Sequence, residues 1–377
     1  MENASRSFRH GLYAMIGTII GAGTFALPAA MKSMGILAGS IAFWLTALVV
    51  LATHLIYTEL VLHRKSMAKR RFPGYLEVAF GPWAKRFGYL TNAAQVIGAC
   101  LAYLVIGGEF LSVLAKHACL PTSILMWQVL FWVGGACVVF VGLKLVSKVE
   151  AWMTVVKIGL LLLSIGLFFW KSDATLFFEM NWPEVLPLLG VFLFSLFGWG
   201  VIPEVAAMCK GDKEKTRLAV AGGSLAAALL MWLFGIFAYA AIGDSLTSNT
   251  GDLSFGVPAS MFWLIPAVGF FAVATPFLSL TQDFKAMLHL DAGLSKRVAW
   301  AVALGSPLVL LLLVSRNFLG TVGFVGAGVS SVNGILMCSA AIKLMRGEKD
   351  ISYAWRVVVP GICIAVFSVV VVRAYLF

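Results

Sequence analysis

Three stretches of this 377-residue chain carry residues whose types and spacing suit ligand chemistry. GTIIGAGTFALP, residues 17–28, sets Gly17, Gly21 and Gly23 within seven positions, with Pro28 close behind. FLFSLFGWGVIPEVA, residues 192–206, puts Gly198, Gly200 and Pro203 in the middle of another apolar run. VEAWMTVVKIGLLLL, residues 149–163, carries Lys157 among apolar neighbours. In a helix interior glycine costs about 1 kcal/mol relative to alanine and proline about 3. Each interruption therefore has to be compensated, and within hydrocarbon unpaired backbone groups are tolerated only where they line a protein-enclosed cavity. A helix that stops and restarts there offers carbonyls to a cation at its new C-terminus and amides to an anion at its new N-terminus. Two such ends suit a ligand with an ammonium and a carboxylate on one carbon, which is an amino acid.

Restart signals follow both glycine pairs. Pro203 then Glu204 read as a proline in the first helical position with a carboxylate in the first turn, where the missing N–H costs nothing and the charge complements the helix dipole. After Gly23, Thr24 reads as an N-cap and Pro28 falls near the end of the first turn. Gly17-x-x-x-Gly21 is also a small-residue packing motif of membrane helices. The second break, at a matching position and with its own restart, favours a binding site over packing.

The elements that must position these residues are membrane helices. The chain is 61% hydrophobic and 12% charged, with a mean hydropathy of +0.95, outside the range of soluble globular domains. Runs long enough to cross the hydrocarbon core fall at 11–32, 36–60, 87–114, 124–142, 150–170, 185–208, 218–242, 257–281, 298–315, 319–343 and 354–374. If the N-terminus is cytoplasmic, 22 basic residues lie on the inside, including seven between Arg64 and Arg86, and five (Lys32, Lys116, Lys171, Arg316, Arg373) lie outside. The positive-inside rule thus predicts a multi-pass plasma-membrane protein with a cytoplasmic N-terminus and an extracytoplasmic C-terminus. It also accounts for the net charge of +11 without nucleic acid, whose basic footprint would not alternate with topology.

The six cysteines and five histidines show no metal-ligand spacing. Arg6 and Arg9 before an apolar run resemble a signal peptide, but ten further spans favour an uncleaved first helix. The longest polar stretch runs from about His63 to Arg86, too short for a separate domain, and FPGYLEVAFGPWAKRFG within it reads as an amphipathic helix at the cytoplasmic interface. One transmembrane domain, 1–377, is expected. The two broken spans are five positions apart in the series, an odd number, so span 6 crosses in the opposite sense to span 1. The expected fold is all-α, about eleven spans, built as a five-plus-five inverted repeat (11–170 and 185–343) with 354–374 added and helices 1 and 6 broken.

GTIIGAGTFALP resembles the first-helix signature of amino-acid transporters of the APC superfamily. FGWGVIPEVA resembles helix 6 of its amino acid/auxin permease branch, which includes bacterial tryptophan and tyrosine permeases, and AVATPFLSLTQDF, residues 272–284, is similar to helix 8 of that branch. The resemblance covers the ten core spans in order. It implies the leucine-transporter type of fold, alternating access and ion-driven import of amino acids, with no cofactor and no enzymatic activity. It places the substrate carboxylate at the amides around Gly21, Ala22, Gly23 and Thr24, and the amino group at carbonyls near Ile19 and from Phe194 through Ser195 to Phe197. Tyr103 would face the same cavity, with Phe194, Phe197 and Trp199 as candidate walls. No obvious carboxylate lies at the pocket, which favours a neutral substrate and keeps aromatic amino acids among the candidates.

The coupling ion is open between two readings. In sodium-coupled relatives the ion lies between helix 1 carbonyls, here Gly17 and Ile20, and two hydroxyls of helix 8. Thr275 fits one, Pro276 stands where the second is expected, and Ser279 lies one turn further on. In proton-coupled relatives a lysine of helix 5 reaches into the vacated sodium site, and Lys157 resembles it. It lies about 10 Å along the helix from Glu150, from the 1.5 Å rise per residue, and buried lysines can exchange protons near neutral pH. Proton symport is the leading expectation and sodium symport the alternative, with Lys157 snorkelling to the cytoplasmic surface as the plain structural reading. Glu109 and Asp283, toward span ends, read as solvated or capping groups, and Asn333 lies deeper in span 10. An integral-membrane enzyme would need converging nucleophiles and bases that the sequence lacks, and a nutrient sensor would lean on longer soluble tails. The sequence names neither the amino acid nor an oligomeric state.

Overall fold

The computed structural model of the chain describes residues 2–63, 71–246, 253, 256–290, 292–313, 318–346 and 352–376. Of the basic residues used above, Arg64, Lys65, Lys69, Arg70, Arg316 and Lys349 lie outside these. Among the described residues every regular element is helical. Span 1 is split into α1 (Glu2–Ile19) and α2 (Gly23–Met34), whose axes differ by 55°. Then come α3 (Ile36–His63), the short α4 (Phe72–Phe80), α5 (Pro82–His117), α6 (Ile124–Val141) and α7 (Leu143–Lys171). Span 6 is split into α8 (Val185–Leu196) and α9 (Ile202–Met208), joined through a 3-10 turn at Trp199–Val201. The chain continues with α10 (Lys213–Ile242), α11 (Leu264–Leu290), α12 (Lys296–Leu313), α13 (Phe318–Phe324), α14 (Ser331–Leu344) and α15 (Val359–Leu376). A π-helical stretch, Val325–Ser330, joins α13 to α14 within span 10.

Among the described residues ten helical segments, the α8–α9 pair counted as one, are long and apolar enough to cross a membrane, and the bent α1–α2 pair makes an eleventh span. The eleven expected runs are all present, but several boundaries move. Gly142, at φ +114°, resets the chain so that α7 begins at Leu143 rather than near 150. Gly81, at φ +93°, followed by Pro82 does the same for α5, so only 72–80 of the expected amphipathic segment is a separate helix and the rest opens span 3. Span 8 starts at Leu264, seven residues later than expected, because Ala259–Met261 form a 3-10 turn.

α1, α2, α8 and α9 form the centre of the bundle. α1 packs along α10 and α9, α2 along α10 and α8, and α11 lies against α5 and α7. The end of the bundle where α1 begins is called the near end below. At the far end the connection from α7 to α8 is stapled across neighbouring spans. The Asn181 amide N–H donates to the Met34 carbonyl at 2.6 Å, that of Leu37 to Glu179 at 3.1 Å, and that of Asp173 to Ala240 at 2.9 Å. The Tyr239 hydroxyl donates to Glu179 Oε2 at 2.7 Å, and Lys32 Nζ donates to the Asp244 and Leu246 carbonyls at 2.8 Å each. Gly35, at φ +75°, lets the chain turn under this connection, where a side chain would run into the Glu179 carbonyl.

Span 10 meets α8 backbone to backbone, since any Cβ on Gly326 would collide with the Gly190 carbonyl and approach the Phe194 nitrogen at 2.9 Å. Overpacking of this kind costs about 1–3 kcal/mol. Gly326→Val should therefore lower the thermal midpoint of the detergent-solubilised protein by several degrees, whereas Gly361→Ala, which meets nothing within 4 Å, should leave it unchanged or slightly raised. Equal midpoints for the two variants would contradict this packing.

Candidate functional site

The break in span 1 leaves specific backbone groups without helical partners. Ile20 N–H still donates to Ile16 at 3.0 Å, but Thr24 N–H turns to the Gly21 carbonyl at 3.1 Å and Phe25 N–H to Ala22 at 2.9 Å. The carbonyls of Gly17 and Ile20 thereby lose the amides of Gly21 and Thr24 that an unbroken helix would supply. Lys157, fully buried on α7, replaces both. Its Nζ donates to Gly17 at 2.7 Å, to Ile20 at 2.8 Å and to Thr275 Oγ1 of α11 at 2.8 Å. All three N–H bonds of the ammonium are used, and its charge faces the negative end of the α1 dipole. Gly17 allows this approach, because a Cβ there would lie 2.6 Å from Thr154 Oγ1 on the same α7. The snorkelling reading of Lys157 does not hold, since its head group points into the bundle. Ser279, one turn beyond Thr275, donates instead to Glu150 Oε1 at 2.7 Å and to the Thr275 carbonyl at 3.0 Å.

On the other side of the break, the amides of Gly21, Ala22 and Gly23 donate to no backbone carbonyl among the described residues. Thr24 is not the N-cap: α2 begins at Gly23, Ala22 stands at the cap with helical φ/ψ, and the buried Thr24 hydroxyl has no partner. The restart uses tight i to i−3 bonds instead of a side-chain cap, which is why the Thr24 amide is already spent. A Cβ on Gly21 would lie 3.4 Å from the Tyr103 hydroxyl and from Pro276 Cγ, so the bare backbone of span 1 faces the α5 tyrosine. Gly23 packs on Ser195, whose Cα a Cβ would approach at 2.5 Å, and the side chain of Ile19 fills the space that a Gly198 side chain would need. The two breaks therefore touch.

In span 6, α8 ends at Leu196 with Phe197 extended at φ −70°, ψ 125°. Pro203 is the second residue of α9, one place later than expected, because a 3-10 turn fills Trp199–Val201. Gly198 N–H, which would bond Phe194 in an unbroken helix, donates at 3.1 Å to Nε2 of His54 on α3. An amide can only donate, so Nε2 carries no proton and Nδ1 does, which donates to Ser224 Oγ of α10 at 3.0 Å. His54 is fully buried and holds span 6 open by replacing a helical carbonyl. No motif marks it in the sequence; its only signal is a histidine in an apolar span.

A narrow cavity of about 70 Å³ runs from the breaks toward the near end. Tyr103, Phe194, Phe197 and Trp199 all line it, and Phe194 and Tyr103 rings lie 6.4 Å apart. Ser195 does not; its hydroxyl bonds back to Val191 at 2.7 Å. Four polar wall residues, Thr18, Asn92, Gln95 and Ser330, were not singled out by the sequence. Asn92 and Gln95 join Ala99 and Tyr103 on the cavity side of α5, a stripe at helical spacing legible in the sequence once that face is known. Thr18, one residue after Gly17, lines the cavity with a buried and unpartnered hydroxyl. Asn333, noted above, donates to Gln95 Oε1 at 2.5 Å, and Gln95 in turn donates to Ser330 at 3.2 Å.

At the near end the cavity is closed by charge. Arg71 sets Nη1 2.6 Å from Glu204 Oε1 and 3.2 Å from Asp283 Oδ1, tying the segment before α4 to α9 and α11. Burial works against the guanidinium's charge, but Asp283 and Glu204 outweigh it and raise its pKa above the ordinary value. Asp283 and Glu204 are thus partners of Arg71 rather than a solvated span end and a plain dipole partner.

Comparison with known proteins accords with this geometry. Residues 4–377 match the model of the tryptophan/tyrosine permease family. The chain belongs to that family. It is a multi-pass membrane transporter of amino acids and not an enzyme. No curated protein matches it. Among solved structures the permease is similar to MhsT in complex with L-phenylalanine, at 17% identity, covering 96% of this chain and 98% of that one with a TM-score of 0.64. It is also similar to MHP1, a nucleobase-cation-symport-1 family transporter in a closed conformation with bromovinylhydantoin bound, at 13% identity, 96% and 90% coverage and a TM-score of 0.66. The permease thus has the leucine-transporter type of fold that the resemblance of its motifs implied.

The role of His54 can be isolated. A buried donor left unsatisfied costs about 1–3 kcal/mol. His54→Asn keeps a donor near Nδ1 but withdraws the acceptor from Gly198, whereas His54→Gln keeps an acceptor at the far end of the side chain. The asparagine variant should lose about tenfold in amino-acid affinity and show faster hydrogen exchange over 194–201, with the glutamine variant close to wild type in both. Equal behaviour of the two variants would remove His54 from this role.

Proposed function

We propose that the permease imports neutral aromatic amino acids by proton-coupled alternating access across the plasma membrane, with its N-terminus in the cytoplasm and its C-terminus outside. The observation that carries this reading is the set of bonds from Lys157 to Gly17, Ile20 and Thr275. These are three of the four groups that a sodium ion would use in sodium-coupled relatives, and the ammonium occupies all three. The fourth position is taken by Pro276, which has no hydroxyl, and Ser279, one turn further on, is directed at Glu150. While protonated, the ammonium at the end of α1 keeps the break formed and serves the part of a bound cation.

The substrate carboxylate meets the free amides of Gly21, Ala22 and Gly23 with the Tyr103 hydroxyl beside them, and the ammonium meets carbonyls at Ile19 and at Phe194 to Phe197. The side chain lies among Phe194, Phe197 and Trp199. The family description and the L-phenylalanine bound by MhsT support an aromatic substrate. At 70 Å³ the cavity is well below the few hundred Å³ usual for small-molecule sites, so loading requires the bundle to open. Repeats 11–170 and 185–343 rock against each other to do so, with the Arg71 pairs parting toward the cytoplasm.

Release of the proton accompanies release of the substrate. Lys157 gives one proton from Nζ to the half-buried carboxylate of Glu150, past the hydroxyls of Thr275 and Ser279. Lys157 becomes a neutral amine, Glu150 a neutral acid, and Glu150 then yields the proton to cytoplasmic water. The neutral amine holds the Gly17 and Ile20 carbonyls less strongly, which loosens span 1.

Purified protein in liposomes tests this. An inward proton gradient without sodium should drive accumulation of L-tryptophan or L-tyrosine, and Lys157→Gln should bind and exchange substrate but accumulate none. Dependence on a sodium gradient with indifference to the proton gradient would overturn proton coupling.

A further inference from the structure

A second recess lies at the near end between α6, α11 and α12, with a volume of about 380 Å³ and no lining residue in common with the substrate cavity. Its walls bring together Lys285 of α11 with Lys296 and Arg297 of α12. Lys285 is anchored by one N–H to the Val139 carbonyl at 2.8 Å, which leaves two to offer. Among the described residues no carboxylate pairs with these three cations.

Beyond the Lys285 bond to Val139 at the end of α6, two local electrostatic contributions are unfavourable in the absence of an anion. Lys285 and Lys296 lie close enough to repel each other. Lys296 and Arg297 occupy the first turn of α12, which holds no acidic residue, and positive charge there opposes the helix dipole. A phosphoryl group would offset both, accepting charge-assisted hydrogen bonds from the guanidinium and ammonium groups. The positive-inside rule explains basic residues at this end of the bundle, but not their gathering around one recess with no counter-charge among the described residues.

The rest of the wall identifies the source of the phosphoryl group. Phe140 and Val141, at the end of α6, are 61% and 71% exposed, and Phe140 meets Trp300 edge to face at 5.4 Å. Trp300 Nε1 donates to the Ala136 carbonyl at 3.2 Å, which fixes the ring at the rim. Aromatic rings with one polar edge are typical of the headgroup level of a membrane. An inorganic ion would leave these apolar surfaces uncovered, while acyl chains running down α6 and α12 would cover them. We propose that this recess binds the headgroup of an anionic phospholipid, with Lys285, Lys296 and Arg297 on the phosphate and Phe140 and Trp300 against the glycerol and upper acyl chains.

Native mass spectrometry of the full-length protein in detergent, titrated with phosphatidylglycerol or phosphatidylcholine, tests the site. Wild type should retain one phosphatidylglycerol at least fivefold more tightly than phosphatidylcholine. Lys296→Gln/Arg297→Gln should bring the ratio close to one, while Lys210→Gln/Lys213→Gln, at the same end but outside the recess, should keep it. Equal retention of the two lipids by wild type, an unchanged preference in the recess variant, or displacement of the bound lipid by millimolar inorganic phosphate would each overturn the proposal. If the double variant fails to fold, Arg297→Gln alone is read in the same way, with at least a twofold loss of preference expected.

Discussion

Two carbonyls that a helix has released, and one ammonium that collects them, hold this structure in its working shape. Opening span 1 inside a low-dielectric bundle exposes the Gly17 and Ile20 oxygens, and stranded backbone acceptors at that depth are costly. Burying a lysine is costly for the same reason. Each deficit offsets the other, and Thr275 completes the third bond. Because the lysine comes from α7 and the threonine from α11, the break also becomes the point at which three spans are tied together.

The break in span 6 follows the same logic with a neutral group. There the released donor is Gly198 N–H, and the imidazole of His54 accepts it while leaning on Ser224. One break is thus capped by a charge and the other by a dipole, and they meet through Gly23 on Ser195 and Ile19 on Gly198. The amides of Gly21 to Gly23 remain uncommitted between them. Around this centre the two ends differ in construction. The far end is closed largely by backbone bonds from the 172–184 connection, and the near end by the Arg71 pairs with Glu204 and Asp283. Ionic contacts between side chains can part without unfolding an element, which suits a gate.

Much of this was legible in the sequence. Glycine and proline inside apolar runs are expensive enough to mark both breaks, and hydropathy marks the spans. A lone lysine in an apolar run has few ways to be satisfied, which singled out Lys157. Other features were not legible for physical reasons. Thr24 fits a capping pattern, but a chain restarting through i to i−3 bonds needs no cap. His54, Thr18 and Arg71 take their meaning from partners far along the chain: Gly198, the cavity and the Glu204–Asp283 pair. Ser279 could not be assigned between a cation and Glu150, because helical spacing fixes the face of a residue and not the choice between neighbours on it. The π-helical stretch of span 10 coincides with the close approach of Gly190 to Gly326, a contact between distant residues that no local signal carries.

The central claim is that an amino acid sits on the naked amides of span 1 while Lys157 stands in for a bound cation behind them. An experimental density map of the permease with L-tryptophan, in buffer containing sodium, tests it most directly. The account predicts the ligand carboxylate within hydrogen-bond distance of the Gly21, Ala22 and Gly23 amides, with Lys157 Nζ on the Gly17 and Ile20 carbonyls. A ligand lodged elsewhere, or a sodium ion on those carbonyls with Lys157 turned away, would contradict it.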